Sequence, residues 1–501
     1  MLFVLAGILL SAALPPSRMS WLAWAAPILL AVSLPRAGGP LEWAGAGWLF
    51  GIGYFGGALA WLVTLVKYSF FAPLGYVSLA AYAALYPTVA CLLLHRLRGS
   101  SLLPVLFPAA FAAAELARIK LLWGFPWAGY GWTQAFVPTA AAAARLGGEF
   151  AVDFVLFAPA GVALALGRRR LLPAAVVTAA LAAVLVAFGA RAESPGGGGR
   201  MRFLLVQGNI PIDAKWDYEG GSEALERYRV LSLVGAAEAK GEGRKPDLIV
   251  WPETAVGGEV DPASPGWDVA EAVAVETGSS VLVGGFTRGQ RLFRNSALLI
   301  GGDGELIGQY SKRRLVPLGE HLPGSGWLPP ALARLIFGRN WENEWLEPGD
   351  SGAPLPVQLG SGGQGRLGVL VCYESAMSDL ARLYRRDGAD CLVTVTNDAW
   401  SAWPDMMWQH AAGSALRSME VGLPLLFCAN TGVTMLASPD GGVVALERDG
   451  RSDGIAGVLG GEVSLGGGTP YAGVGDLFAW GCIALIAAAL GAPLARGARR
   501  R

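Results

Sequence analysis

The chain has 501 residues, of which 53% are hydrophobic before its 70 glycines are counted and only 16% are charged, which is too long for one ordinary domain and too apolar for a soluble one. Its 39 basic and 39 acidic residues cancel to a formal net charge of zero, so no basic footprint for nucleic acid is present. The 18 tryptophans suit a protein with aromatic rings at membrane interfaces.

The first two hundred residues form a succession of apolar blocks: Leu2–Leu14, Trp21–Leu34, Ala44–Val66, Leu74–Leu94, Leu102–Ala117, Ala151–Leu166 and Leu171–Phe188. Several approach the ~20 residues needed to cross a bilayer. Met1–Leu14 lacks the basic start of a cleaved signal peptide and is followed at once by more apolar sequence, so a short spanning hairpin is the expectation. Glu115, Glu149 and Asp153 lie in or beside these blocks. Ionisable groups there are costly, and helix-end positions reaching water are the expected explanation. Trp123, Phe125, Trp127, Tyr130 and Trp132 cluster as an interfacial belt would.

Glu193-Ser194-Pro195 and four glycines then make a linker, and one last apolar block, Val474–Leu490, runs into a tail of arginines. The expected layout is a transmembrane bundle of about seven spans over residues 1–192, an extracytoplasmic catalytic domain over 201–468, and a C-terminal transmembrane helix over 474–494. Basic clusters at His95–Arg98, Arg168–Arg170 and the C-terminus become cytoplasmic together if there are eight spans, with the middle domain outside.

Within that domain, runs such as Phe203–Val206, Asp247–Trp251, Ser280–Gly284, Ala297–Ile300, Gly368–Val371, Cys391–Thr396 and Leu425–Cys428 read as buried strands. Helical stretches at Ser222–Ala239 and Ser375–Asp387 separate some of them, which predicts a layered α/β domain. Open α/β domains place chemistry at strand ends. Trp251-Pro252-Glu253 ends one strand, Lys312 sits between apolar runs, and Leu367–Val371 delivers Cys372 to a polar turn. A thiol needs a base or a cation to become a nucleophile. Glu253 can take its proton, while Lys312 and the Tyr373 amide can hold an oxyanion. The bland readings are a core cysteine, an exposed carboxylate and a solvated basic trio. Cys391 and Cys428 read as core. Five cysteines without a paired framework, and three histidines without ligand spacing, predict neither a disulfide scaffold nor a metal site.

Trp251-Pro252-Glu253, the stretch from Lys312 to Glu320, Cys372-Tyr373-Glu374, and Asn397-Asp398-Ala399-Trp400 with His410, Arg417, Glu420 and Ala429-Asn430-Thr431-Gly432 together resemble the nitrilase (carbon–nitrogen hydrolase) superfamily. The resemblance covers about Met201 to Leu465 and implies a four-layer αββα sandwich with a Glu253–Lys312–Cys372 triad. With the flanking apolar blocks, and with Gln207–Pro211, Lys215-Trp216 and Gly124–Trp127, the whole chain resembles the bacterial apolipoprotein N-acyltransferases. That family adds the third acyl chain to lipoproteins in the inner membrane. The resemblance implies supporting roles for Tyr373, Glu320, Glu374 and Trp216, a phospholipid acyl donor, a diacylglyceryl-modified apolipoprotein acceptor and no cofactor. A monomer is expected. Ser401 departs from the superfamily pattern, where an aromatic is common.

Leu322–Leu346, with Trp327, Trp341 and Trp345, reads either as a membrane-dipping lid or as a packed insertion. Trp400–Trp408 reads either as an acyl path or as core. The resemblance also implies a ping-pong reaction through a Cys372 thioester; a hydrolase that passes that thioester to water, and a scaffold with a dead domain, are the competing functions. Eight spans favour lipid substrates, and an intact triad disfavours the scaffold.

Overall fold

The computed structural model describes residues 1–498 except Arg36, Trp123, 193–195, 213–217, Leu318, 322–328, 330, 332–333, 335–345, 351 and Ala402. The N-terminal part is helical: Leu2–Ala12, Leu22–Ser33, Pro40–Ala58, Ala72–Leu97, Leu103–Lys120, Glu149–Ala163 and Leu172–Gly189, with a last helix at Leu477–Ala498. Among the described residues, two helical segments, Ala72–Leu97 and Arg169–Gly189, are long and apolar enough to span a membrane. A third qualifies if Pro40–Ala58 and Ala60–Lys67, bent by 48° at their junction, count as one span.

The expectation of about eight spans is therefore supported only in part. Leu2–Ala12 covers about 16 Å at ~1.5 Å per residue, against a bilayer core of ~30 Å. Leu103–Lys120 carries Glu115, Arg118 and Lys120, and Glu149–Ala163 has 15 residues. The expectation that the three acids reach water at helix ends is also corrected, although Glu149 does begin its helix. Glu115, Glu149 and Asp153 are all buried. Glu115 pairs with Arg118, and Glu149 accepts from Arg417 Nη2 at 3.0 Å.

Residues 200–464 build two six-stranded sheets. One holds β1 (Arg200–Gln207), β2 (Leu248–Val250), β3 (Ser280–Arg288), β4 (Phe293–Ile300) and β5 (Leu306–Ser311). The other holds β6 (Leu355–Gln358), β7 (Gln364–Val371), β8 (Cys391–Thr396), β9 (Leu425–Ala429), β10 (Met435–Ala437) and β11 (Val443–Ala445). β12 (Gly457–Ser464) returns to the first. The orders are β12-β1-β2-β3-β4-β5 and β11-β10-β9-β8-β7-β6. β1-β2-β3 and β7-β8-β9 are parallel and their outer neighbours antiparallel. The parallel strands are continuous apolar runs because both faces are covered.

The sheets touch through β1 and β9, β4 and β7, and β5 and β6. The Tyr218–Gly241 and Pro265–Thr277 helices cover one outer face, and Ser378–Arg386 and Pro404–Val421 the other, giving an αββα sandwich. Local signals set the helix ends. Ser264 caps the Trp267 amide with Pro265 in the first turn, and Gly278 closes the helix left-handed at φ 62°. Pro404 in the first turn and left-handed Gly422 (φ 70°) bound the Pro404–Val421 helix, here without a side-chain cap.

That helix also joins the two halves. Trp127 Nε1 donates to Gln409 Oε1 at 3.0 Å, and Glu420 Oε1 accepts from the Glu149 amide at 2.7 Å. A side chain at Gly413 would collide with the Trp132 ring, its Cβ only 2.6 Å from a ring carbon.

Candidate active site

The ends of β2, β5, β7, β8 and β9 and the start of antiparallel β4 meet at one edge of the sandwich, which follows from strand direction. β2 ends in Val250 and leads to Glu253, β5 leads to Lys312, β7 to Cys372, β8 to Asn397 and Asp398, β9 to Asn430, and β4 contributes Asn295. The backbone is left-handed at Asn209 (φ 49°), Thr254 (φ 48°) and Cys372 (φ 54°), three non-glycine residues just beyond β1, β2 and β7. Such conformations cost about 1–3 kcal/mol each and persist where surrounding contacts enforce them. At Cys372 the chain leaves its strand directly into a 3₁₀ turn, Cys372–Ala376.

The Glu253 carboxylate is held from two sides. Asn295 Nδ2 donates to Oε1 at 2.6 Å and the Asn397 amide donates to Oε2 at 2.8 Å. Gly284 of β3 lets the chain pass: a Cβ there would lie 2.3 Å from the Pro252 carbonyl oxygen and 2.8 Å from Glu253 Cα. Lys312 Nζ donates to Glu320 Oε1 at 2.9 Å and stands 3.8 Å from Glu253 Oε1. Asn295 Nδ2 reaches Glu320 Oε1 as well, at 3.2 Å, so one amide serves two carboxylates.

Burial raises the Glu253 carboxyl above its ordinary range, and the opposing pull of Lys312 and its hydrogen bonds does not fully offset this. Burial alone would lower the Lys312 ammonium, but Glu320, Cys372 and Glu253 hold it above its ordinary value, so it stays charged. Burial, then the Glu253 charge, pushes the Cys372 thiol well up, against the pull of Lys312 and a hydrogen bond with Thr396. The resting group is therefore a thiol beside a carboxylate of raised basicity and a fixed cation. That set can deprotonate sulfur as it attacks and neutralise an oxyanion.

Glu374 is fully buried and acts as a clamp between loops. Its Oε1 accepts from the Arg313 and Arg314 amides at 2.7 and 3.0 Å. Its Oε2 accepts from the Val371 amide at 2.9 Å, and Tyr310 OH donates to both oxygens. Tyr373 is buried beside Cys372. Trp400 is half-buried, edge-on to Trp61 at 5.4 Å; Trp61 lies 5.6 Å from Trp127, and Trp127 5.3 Å from His410. An aromatic series thus runs from the membrane half to the site.

The structure brings Glu253, Lys312, Cys372, Tyr373, Glu320 and Glu374 to this one edge. Trp216 and Trp327 lie outside the described residues, as does most of the Leu322–Leu346 arm. Sequence reasoning missed Asn295, whose only signal is a polar pair, Asn295-Ser296, opening an apolar strand. It also gave no role to His410, which contacts the Cys372 carbonyl, or to Asn430, which donates to the Ile210 carbonyl at 2.7 Å and to Asn397 Oδ1 at 3.0 Å. Among the described residues no cluster of His, Cys, Asp and Glu is arranged to hold a metal ion.

A domain of this architecture, with a buried carboxylate, ammonium and thiol at one sheet edge, defines a carbon–nitrogen hydrolase domain, and residues 205–467 match the carbon-nitrogen hydrolase family. Residues 6–162 match the apolipoprotein N-acyltransferase N-terminal domain. The chain is 34% identical to the apolipoprotein N-acyltransferase of Geobacter metallireducens, over 96% of this chain and 92% of that one. It is 33% identical to that of Methylococcus capsulatus, over 91% and 87%. A crystal structure of an amidase from Nesterenkonia sp. covers 54% of this chain and 92% of its own at 18% identity, with a TM-score of 0.39. The chain belongs to the apolipoprotein N-acyltransferase family.

Proposed function

We propose that this membrane enzyme transfers a fatty acyl chain from a phospholipid to the α-amine of the diacylglyceryl-cysteine at an apolipoprotein N-terminus, the last step of lipoprotein maturation, with Cys372 as nucleophile. Family membership supports the activity. The observation that carries the residue assignment is the convergence of Glu253, Lys312 and Cys372, with Lys312 Nζ 3.8 Å from Glu253 Oε1. Glu253 takes the thiol proton as sulfur attacks the ester carbonyl, and Lys312 and the Tyr373 amide neutralise the oxyanion. The ester C–O bond breaks, Glu253 returns the proton to the departing lysophospholipid oxygen, and a thioester remains. The acceptor amine then attacks that thioester and passes a proton to Glu253. The tetrahedral adduct expels sulfur, which recovers the proton as the thiol, and an amide is released.

In this reading the protein has eight spans, some of them short or bent, within segments 1–192 and 474–494. The 201–468 domain faces the extracytoplasmic side of the bacterial inner membrane, with the C-terminus cytoplasmic and the enzyme a monomer. Acyl chains gain about 0.8 kcal/mol per buried CH₂, so both lipid substrates stay in the bilayer and the site must meet them at its surface. Trp400 and Trp61 lie along the acyl path.

Intact mass spectrometry of the detergent-solubilised protein with phospholipid tests this. One acyl chain should be added at Cys372, be absent in Cys372→Ala, and be discharged as an N-acyl amide by a diacylglyceryl-cysteine peptide. An adduct lost equally fast to water would make it a hydrolase, and no adduct would overturn the nucleophile assignment.

A further inference from the structure

A cavity of about 330 Å³ opens beside the Cys372 turn, where the catalytic loops meet the membrane half. Its walls include Gly124, Arg313, Arg314, His321, Tyr373 and Met377, and no acidic residue is among the described residues lining it. In the sequence the two arginines after Lys312 read as a solvated trio. In the structure their origin is fixed, because the buried carboxylate of Glu374 binds both of their amides and also the Val371 amide before Cys372. One buried group therefore sets the arginine pair relative to the nucleophile.

The cations are available. Among the described residues no carboxylate pairs with Arg313. Arg314 has only Asp379, at 3.7 Å, and both side chains are about half exposed, so water screens that pair. His321 Nδ1 is buried without a hydrogen-bond partner. The positive charges of Arg118 and Lys312 also reach Tyr373, opposing the rise that burial imposes on its phenol. The cavity is thus lined by positive charge, with buried Tyr373 in one wall and Gly124 of the N-terminal half in another.

We propose that this cavity holds the phosphodiester of the acyl-donor lipid, with Arg313 and Arg314 as its ligands. Guanidinium forks match phosphate oxygens in geometry and keep their charge at every accessible pH. Only the glycerol backbone separates a phospholipid's phosphate from its ester carbonyls. A phosphate seated beside Tyr373 therefore leaves an ester within reach of Cys372 while the chains remain toward the membrane half. The inference rests on Cys372 as nucleophile and adds a discrimination the triad cannot make, favouring phospholipids over uncharged acyl esters.

The test follows acylation of Cys372 in the full-length protein in uncharged detergent, with two donors. One is a diacyl phospholipid, and the other is p-nitrophenyl palmitate, which has no phosphate. In R313Q/R314Q the apparent KM for phospholipid should rise about tenfold or more, while p-nitrophenyl palmitate acylation changes less than about threefold, as expected when phosphate ligands are lost and the chemistry is not. R313K/R314K should recover part of the affinity, since charge returns without the fork. Glycerol 3-phosphate should compete with phospholipid in the wild type and much less in R313Q/R314Q.

Equal losses with both donors, or none with either, would overturn the proposal. So would a glycerol 3-phosphate effect that also alters the p-nitrophenyl palmitate rate, because the cavity would then bind free phosphate rather than the donor lipid. If the wild type is acylated by neither donor, the nucleophile assignment fails instead, and the two failures are separable.

Discussion

His410 Nε2 lies 3.1 Å from the carbonyl oxygen of Cys372, while its Nδ1 lies 3.0 Å from Asp398 Oδ1. The same Nε2 is 3.0 Å from Ser375 Oγ, and Ser414 donates to Ser375 at 2.8 Å. This buried group of polar side chains grips the backbone of the turn that carries the proposed nucleophile, at a residue held at φ 54°. His410 is thereby a positioning residue. It acts on the orientation of the Cys372–Tyr373 peptide rather than on substrate.

His410→Ala should slow Cys372 acylation by about 10²-fold, the scale of a misplaced oxyanion donor. Alkylation of the same thiol by iodoacetamide, which develops no oxyanion, should change only a fewfold. His410→Gln, which keeps a donor, should restore part of the acylation rate. Parallel losses in acylation and alkylation would show that the residue merely holds the fold.

With Glu253 as the proposed base, the pH dependence follows from its surroundings. A base works only when deprotonated, and burial has raised this carboxyl above its ordinary value, so the acid limb of kcat/KM should lie above the usual glutamate range. Activity is present above that limb and is lost as pH falls through it. Asn295→Ala removes a donor that favours the carboxylate, so the limb should move to still higher pH. The variant should lose more activity at about pH 6 than at about pH 8, measured as acylation rates.

Gly284→Ala should damage the site from the neighbouring strand. Its Cβ would enter the space of the Pro252 carbonyl and Glu253 Cα, and neither can yield without moving the carboxylate. Overpacking of this kind costs about 1–3 kcal/mol. A lowered melting temperature together with at least about tenfold slower acylation is expected from the displaced base. An unchanged acylation rate would show that the backbone relaxes elsewhere.

Arg417 lies between two buried carboxylates, 3.0 Å from Glu149 Oε2 of the membrane half and 3.1 Å from Glu420 Oε2 on its own helix. Arg417→Met leaves both acids without their cation and should destabilise by about 3–5 kcal/mol. Denaturant unfolding in micelles measures this. Adding Glu149→Gln and Glu420→Gln should recover much of the loss, since the cost comes from unpaired charge rather than missing volume.

The strand ends carrying Glu253 and Cys372 are legible in the sequence because a buried parallel strand must be an apolar run, and its polar end marks where the sheet stops. Cys391–Thr396 is read to the residue for that reason. Cys391 and Cys428 are core, as expected of cysteines within such runs. β5, β6 and β10–β12 escape notice. They lie toward the sheet edges, where half-exposed residues break the apolar run, as in the pattern of β12. The Pro404–Val421 helix escapes as well. It is buried on nearly every side between sheet and membrane half, so it lacks the one-sided periodicity that reveals a surface helix.

Sequence by itself determined the class of chemistry and the membrane setting, since both depend on which residues are present: a thiol, a carboxylate and a lysine at strand ends, and long apolar blocks. Tertiary structure alone decided what surrounds them. Asn295 is shared between Glu253 and Glu320, His410 is placed on the Cys372 carbonyl, and Glu149 is buried against Arg417 where a water-facing helix end was expected. These relationships join residues tens to hundreds of positions apart. Their energies come from desolvation and hydrogen-bond geometry, which exist only once two sheets and a helical bundle have closed around them.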